Sequence, residues 1–216
     1  MQKLIIDHTR TYGEGVRGFQ EEQSHHFEKE GWNARMLHLY SHAGTHMDAP
    51  SHFNISGPSI DQFPLDALIG KAHVLKIPVS GDKFLITPEH VSLTKHNIRA
   101  GDRLLFQTGW SKQHGLSGYR DAQPRISREL ADWIVERQIK LIGVEGPSVA
   151  DVNNLSEVTA IHQTLFKAGV IIVEGLINLE LLKNDTVEFF ALPLKIKNGD
   201  GAPCRAFSIE YVEDEN

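Results

Sequence analysis

The segment KLIGVEGPSVADVNNLSEVTAIHQTLFKAGVIIVE, which spans residues 140–174, decides the fold class. Its two ends, residues 140–144 and 170–173, are nearly continuous aliphatic runs that predict two buried strands, each followed by Glu-Gly. Residues 157–167 between them predict a helix, which stops at residues 168–169, Ala-Gly. Strands joined by a helix run parallel, and helices then cover both faces of the sheet. The segment therefore predicts an α/β protein.

The flanking sequence extends this pattern to a mixed β-sheet with flanking helices. Thr87 and Ser127 are helix N-caps, followed by Pro-Glu in the first case and by apolar residues at helical spacing in the second. Residues 207–213 alternate between apolar and polar side chains, which predicts a half-exposed strand. Further strands are predicted at residues 4–6, 35–40, 72–79 and 103–107. With no linker or repeat in the sequence, we expect residues 1–216 to form a single domain.

The composition is that of an ordinary globular protein, with 40% hydrophobic and 23% charged residues. The 22 Lys and Arg are outnumbered by 28 Asp and Glu, and the net charge of −6 argues against nucleic acid as a partner. The apolar runs are too short to cross a bilayer, and residues 1–8 lack secretory features, so we expect a cytoplasmic protein with no membrane partner. The single cysteine, Cys204, excludes an internal disulfide and multi-thiolate zinc sites.

Histidine is frequent, with 12 residues, and three histidines and a carboxylate share the segment SHAGTHMDAPSHF, residues 41–53. All four occupy even positions: His42, His46, Asp48 and His52. In a helix, His46 and Asp48 would point about 200° apart, whereas an extended chain places all four on one face. We therefore expect an extended segment that continues the strand at residues 35–40, in which Gly44 leaves room for an ion and Pro50 bends the chain to bring His52 around.

Imidazole and carboxylate groups are ligands of zinc, manganese and related divalent ions, and one carboxylate can bridge two ions. The segment thus predicts a metal site formed by His42, His46 and Asp48. A buried, histidine-rich hydrogen-bond network is the alternative interpretation of the same residues.

Residues 42–53, HAGTHMDAPSHF, are similar to the His-x-Gly-Thr-His-x-Asp-x-Pro-x-His signature of the cyclase family of metal-dependent hydrolases, which includes bacterial kynurenine formamidases and isatin hydrolases. Residues 147–151 resemble a Pro-Ser-Val-Asp-like loop of the family, which precedes a helix histidine and a strand glutamate, here His162 and Glu174. Residues 201–206, GAPCRA, resemble its terminal Gly-x-Pro-x-Arg-Ala element. The resemblance covers most of the chain, from residue 5 to residue 206.

The resemblance implies the swivelling β/β/α fold of that family in a single domain. It implies one metal ion at His42, His46 and Asp48. A second ion would be held by His162 and Glu174, with Asp48 as the bridge. The implied cofactors are divalent ions, zinc or manganese, two per chain.

The resemblance further implies that His52 is the catalytic acid/base residue. The implied reaction is hydrolysis of an amide C–N bond in a small-molecule aryl formamide or lactam, by a homodimer or higher homo-oligomer. Two alternatives use the same residues: a lactonase or dehydrating cyclase that acts on a hydroxy acid, and a non-catalytic metal-binding protein.

Residues 9–19, TRTYGEGVRGF, depart from the kynurenine formamidases of the family, which have a Pro-Gly-Asp element near an aromatic residue in this region. Hydrolysis is still the expected chemistry, but this departure leaves the identity of the substrate open. For four residues the sequence is consistent with a site role and with a structural role: Glu145, Asp151, Phe53 and Trp110. His25 and His26 are expected in a solvated helix, and Cys204 is expected to be packed.

Overall fold

The structure is a computed structural model, and it describes residues 1–213. Its strands are β1 (Gln2–Asp7), β2 (Phe19–His25), β3 (Ala34–Leu39), β4 (His46–Asp48), β5 (Ile69–Lys76), β6 (Leu85–Ile86), β7 (Arg103–Gln107), β8 (Arg125–Ile126), β9 (Leu141–Val144), β10 (Ile171–Glu174), β11 (Thr186–Pro193) and β12 (Gly201–Val212). Its α-helices are α1 (Phe27–Glu30), α2 (Leu65–Leu68), α3 (Pro88–Leu93), α4 (Arg128–Glu136) and α5 (Leu155–Lys167). Short 3₁₀ helices occupy Pro50–Phe53, Ile60–Gln62, Trp110–Gln113 and Leu179–Leu181.

Eight strands form one sheet in the order β1-β12-β11-β5-β7-β9-β10-β4, and β4 pairs back with β12. This return pairing closes seven strands into a barrel, while β1 continues along the later part of β12. Neighbours among β5, β7, β9 and β10 run parallel, and the other pairs in the sheet are antiparallel. The predicted α/β class with a mixed sheet is confirmed, as is the parallel pair of β9 and β10 around α5.

The central strands are buried on both faces, as their aliphatic sequences predict. Leu105, Leu141 and Val173 pack in the core inside the barrel. Their neighbours along the same strands pack in a second core with residues of α4 and α5, and they are Phe106, Ile142 and Ile172. The sheet is therefore a wall between two cores, and α5 lies on its outer face.

The two longest helices, α4 and α5, each begin at a residue whose side chain caps the helix N-terminus. Ser127 accepts a hydrogen bond from the backbone N–H of Leu130 at 3.1 Å and begins α4 as predicted. In α5, Asn154 is the cap and accepts from the N–H of Glu157, so the helix starts two residues before the predicted residue 157. None of the helices within residues 1–213 is both long and apolar enough to span a membrane.

Two local predictions are wrong. Residues 41–49 are not one extended segment: only β4 is a strand, and residues 41–45 form a turn with Gly44 at φ +60°. The turn is needed because β3 belongs to a separate two-stranded sheet with β2, and the chain must change direction to enter the barrel. The chain does bend at Pro50, where the 3₁₀ helix Pro50–Phe53 begins. His25 ends β2 and His26 caps the four-residue helix α1, so these histidines do not lie in a long solvated helix.

Candidate metal centre

The pairing of β4 with β10 builds the base of the site. Glu174 lies directly opposite His46, and Ile172 lies opposite Asp48. Side chains at such positions share a sheet face with Cβ atoms about 5 Å apart, and residues two apart on one strand also share it. His46, Asp48 and Glu174 therefore stand together on the outer face, while Met47 packs inside the barrel.

Helix α5 covers this face and supplies a fourth group, His162, which is 2% exposed. Its Nε2 lies 3.4 Å from Glu174 Oε1 and 3.7 Å from Asp48 Oδ2. His46 Nε2 lies 3.3 Å from Glu174 Oε2 and 3.4 Å from Asp48 Oδ1. Residues more than 100 positions apart thus meet in one buried cluster.

The turn before β4 brings in His42, whose Nδ1 lies 2.7 Å from Asp48 Oδ1. The 3₁₀ helix brings in His52, whose ring stacks on that of His42 with centroids 3.7 Å apart. Asp200 completes this side: its Oδ2 lies 3.1 Å from His42 Nε2 and 3.7 Å from His52 Nδ1. All the residues that the sequence singled out as metal ligands, together with His52, are brought together.

Asp200 is the site residue that sequence reasoning missed. It lies between two glycines, where an aspartate is commonly a turn residue. The available signal was its position directly before residues 201–206, the element shared with the cyclase family.

His42, His46 and His162 each have one nitrogen fixed by an oxygen that does not belong to Asp48 or Glu174. His46 Nδ1 donates to the carbonyl of Gly44 at 3.1 Å, and His162 Nδ1 donates to the carbonyl of Val158 at 2.7 Å. Asp200 Oδ2 accepts from Nε2 of His42, the ring nitrogen that faces away from Asp48. The opposite nitrogen of each ring faces the carboxylates: it donates a hydrogen bond to them when the ring is protonated, and it would offer its lone pair to a metal ion when the ring is neutral.

The turn that carries His42 is held by specific contacts. The hydroxyl of Tyr12 donates to the carbonyl of Ala43 at 2.6 Å, and its ring fills the space where a Cβ on Gly44 would lie. The hydroxyl of Thr45 donates to the carbonyl of Gly175 at 2.7 Å. Both ligand-bearing strands are therefore tied together beside the cluster.

Burial disfavours the charged form of every group in the cluster. At His42 the hydrogen bond and charge of Asp48 outweigh burial and raise the pKa to about 9. Glu174 likewise raises the pKa of His46 and His162, and these two rings lower the pKa of Glu174 despite its burial. The carboxylates thus favour positive charge here, as protons on the imidazoles or as metal ions.

The donor atoms fit divalent ions. His42, His46 and Asp48 offer atoms within 4.8 Å of one another, and so do Asp48, His162 and Glu174. Ligands at 2.0–2.2 Å in tetrahedral geometry lie about 3.3–3.6 Å apart, and the contacts of the His46 and His162 nitrogens are 3.3–3.7 Å. His42 Nδ1 lies closer to Asp48 Oδ1, at the hydrogen-bond distance of 2.7 Å. Asp48 belongs to both groups, so its carboxylate lies between the two sets of donor atoms.

A cavity of about 420 Å³ opens beside the cluster and is lined by His42 and His46. Phe53 and Trp110 do not line it. Phe53 stacks on His162 at 4.1 Å between ring centroids and so fixes that ring. Trp110 donates from its indole to the carbonyl of Tyr119, which is a cavity residue. His52 lies against His42 outside the cavity lining, and burial lowers its pKa.

Glu145 and Asp151 have structural contacts. Glu145 accepts hydrogen bonds from the N–H groups of Thr108 and Trp110 and holds that turn. Asp151 accepts from the N–H of Asn153 and pairs with Lys83 at 2.7 Å, which is an aspartate turn with an ion pair. Cys204 is a buried free cysteine, in agreement with its expected packing role.

Comparison with known proteins agrees with the site. Residues 6–151 match the family model described as "Putative cyclase". A kynurenine formamidase from Bacillus thuringiensis (strain Al Hakam) is 34% identical over 175 residues, covering 81% of this chain and 78% of that protein. One from Salinibacter ruber (strain DSM 13855 / M31) is 32% identical over 177 residues, with the same coverage. Isatin hydrolase A from Labrenzia aggregata, bound to benzyl benzoate, has a TM-score of 0.85 at 26% identity, covering 96% of this chain and 93% of that chain. The chain belongs to the cyclase family.

Proposed function

We propose that the protein is a metal-dependent hydrolase that cleaves the amide C–N bond of a small-molecule aryl formamide or lactam. The observation that carries this proposal is the buried cluster in which Asp48 stands between two groups of donor atoms, at the wall of a cavity. The relatives named kynurenine formamidase and isatin hydrolase support the same class of reaction.

We assign His42, His46 and Asp48 to one divalent ion, and His162 and Glu174 with Asp48 to a second. Imidazole and carboxylate donors suit both zinc and manganese. When bound, such ions act as Lewis acids and lower the pKa of a coordinated water from about 15.7 to near 7.

His52 is the acid/base residue of this proposal. It accepts a proton from the attacking water and returns it to the leaving nitrogen, so that the proton balance closes within one turnover. The stacking of His52 on His42 and the contact of its Nδ1 with Asp200 hold the ring beside the first group of donors. The side chain is 28% exposed, which leaves a path for proton exchange with solvent.

Metal analysis tests the proposal. Wild-type protein, purified without a histidine tag and reconstituted with zinc or manganese, should contain two ions per chain. Asp48→Asn should lose both, while Asp185→Asn, at an exposed ion pair with Lys76, should keep them. Hydrolysis of formanilides and lactams should follow metal content. A wild type without metal, or a loaded protein that cleaves only lactones, would contradict it.

The role of His52 needs its own experiment. His52→Gln should keep both ions and lower kcat by about 10²- to 10⁴-fold. His38→Gln changes an exposed histidine on β3 and should leave kcat unchanged. Loss of metal in His52→Gln would make His52 a ligand instead, and an unchanged kcat would remove it from the mechanism.

We also propose that the protein is a homodimer formed through the β2–β3 hairpin. Trp32, Met36, Leu37 and Tyr40 are each more than half exposed on or beside this hairpin, an unusual concentration of large apolar side chains. Sedimentation of the wild type should give a dimer, and Met36→Asp with Leu37→Asp should give a monomer. A monomeric wild type at micromolar concentration would refute the interface.

A further inference from the structure

The cavity beside the metal centre has a positively charged lining. Arg10, Arg17 and Arg120 line it, and Asp121 is the one carboxylate among the lining residues within the described part of the chain. Asp121 also accepts a hydrogen bond from the side chain of Asn153 at 3.0 Å. The whole chain carries six more acidic than basic residues, so the excess of arginine here runs against its general charge.

The three guanidinium groups are not equivalent. Arg10 is held within the protein: its Nη2 donates to the hydroxyl of Tyr119 at 3.3 Å, and its guanidinium lies 5.5 Å from the centre of the same ring. Arg17 and Arg120 are exposed and form no ion pair with the carboxylates of residues 1–213. They are the cationic groups of this cavity that remain available to a ligand.

Arg17 and Arg120 also act on one another. Partial burial and repulsion by the charge of Arg17 lower the pKa of Arg120, and the charge of Asp121 opposes this effect. An anion between them would relieve this repulsion. A guanidinium group binds a planar carboxylate through two parallel hydrogen bonds, which makes a carboxylate the matching ligand.

We propose that Arg17 and Arg120 bind a carboxylate of the substrate, so that the substrate is an anionic aryl formamide or lactam. This inference rests on the proposed function, since it places the scissile amide at the metal centre in the same cavity. A volume of about 420 Å³ holds a single aromatic ring with both substituents. The arginines then select the substrate by its charge while the metal ligands carry the reaction.

Paired substrates test the proposal. The three formamidobenzoate isomers carry a carboxylate, and the corresponding formamidobenzamides are neutral compounds of nearly equal size. The wild type should prefer at least one acid over its amide by about tenfold or more in kcat/KM. Arg17→Gln and Arg120→Gln should each lower kcat/KM for that acid by about 10- to 100-fold, mainly through KM, and leave the amide within about twofold. Arg99→Gln, an exposed arginine elsewhere, is the matched control.

Equal rates for acid and amide in the wild type, or equal losses for both in the variants, would overturn the inference and leave the hydrolase proposal intact. If no compound is hydrolysed, the proposed function is refuted, and a binding experiment then tests the carboxylate site separately. Calorimetric titration of the metal-loaded protein with benzoate should then show binding that benzamide lacks and that both variants lose. No binding of benzoate would overturn it.

Discussion

Replacing Gly175 by alanine should disturb the metal centre by displacing the backbone that orients one of its proposed ligands. Gly175 follows Glu174 at the end of β10 and has φ +72°, a conformation that residues with a side chain rarely adopt. A Cβ at this position would lie 2.3 Å from the carbonyl oxygen of Gly44. That oxygen belongs to backbone and also fixes His46, so it cannot move without moving a proposed ligand.

The cost of Gly175→Ala has two parts. The left-handed conformation costs about 1–2 kcal/mol for an alanine. The overlap with Gly44 adds about 1–3 kcal/mol, the usual cost of one extra methyl group in a packed interior. We expect a total of about 2–5 kcal/mol, and metal affinity about 10- to 100-fold weaker, because the displaced carbonyl orients His46.

Urea unfolding of the metal-free protein and calorimetric titration with Mn²⁺ measure the two effects. Gly169→Ala is the control: Gly169 has φ +75°, but nothing lies within 4 Å of its would-be Cβ, so only the conformational cost applies. It should lose about 1–2 kcal/mol and bind metal normally. If Gly175→Ala loses no more stability than Gly169→Ala and binds Mn²⁺ like the wild type, the close approach of these strands does not position the ligands.

Three further predictions concern groups around the site and the barrel. Asp200→Asn should weaken metal binding about 10- to 100-fold in a chelator competition, because Asp200 orients His42; unchanged affinity would contradict this role. Glu145→Gln should cost about 1–3 kcal/mol in urea unfolding with unchanged metal content, since this buried carboxylate accepts several hydrogen bonds from residues 108–111. Burial lowers the pKa of His8, so the folded protein takes up that proton less readily than the unfolded chain, and this contribution to stability falls as the pH drops through about 6.5. The decrease in urea midpoint from pH 7.5 to 5.5 should be smaller in His8→Gln, and equal decreases would refute the assignment.

The buried parallel strands were predictable because their sequences are aliphatic on both faces; β7 has the predicted bounds, and β9 and β10 lie within one residue of theirs. Barrel closure was not predictable, since it depends on the pairing of the three-residue strand β4 with β10 and β12, which are distant in the sequence. In β12 the polar Ser208 and Glu210 are buried while Tyr211 is exposed. Ser208 pairs with His8, 200 positions away, and such distant partners leave no local signal.

The ligands of the centre were predictable to different degrees. His46 and Asp48 follow from strand alternation, which holds in β4. His42 and His52 reach the cluster through a turn and a 3₁₀ helix. The extended-chain argument therefore selected residues that do lie together, but it assigned them the wrong local geometry. Asp200 was missed because its partner His42 lies 158 positions away and the flanking glycines are typical of a turn, so its position directly before residues 201–206 was the remaining signal.

Residues 9–19, which depart from the kynurenine formamidase pattern, contribute to the lining of the cavity. Residues 9–19 lack the Pro-Gly-Asp element that the resemblance leads one to expect, and the same segment supplies Arg10 and Arg17 to the cavity lining. Three of the proposed ligands, His46, Asp48 and Glu174, lie on paired barrel strands, whose register tolerates little change. His162 lies on α5, and His42 lies in the turn before β4. Most of residues 9–19 lies outside the barrel, where sequence tolerates change; Tyr12 is an exception, because it holds the turn that carries His42. On the proposal that Arg17 and Arg120 bind the substrate, substrate choice can diverge in this segment while the metal ligands stay in place, and the two arginines then indicate the substrate more directly than the names of the relatives do.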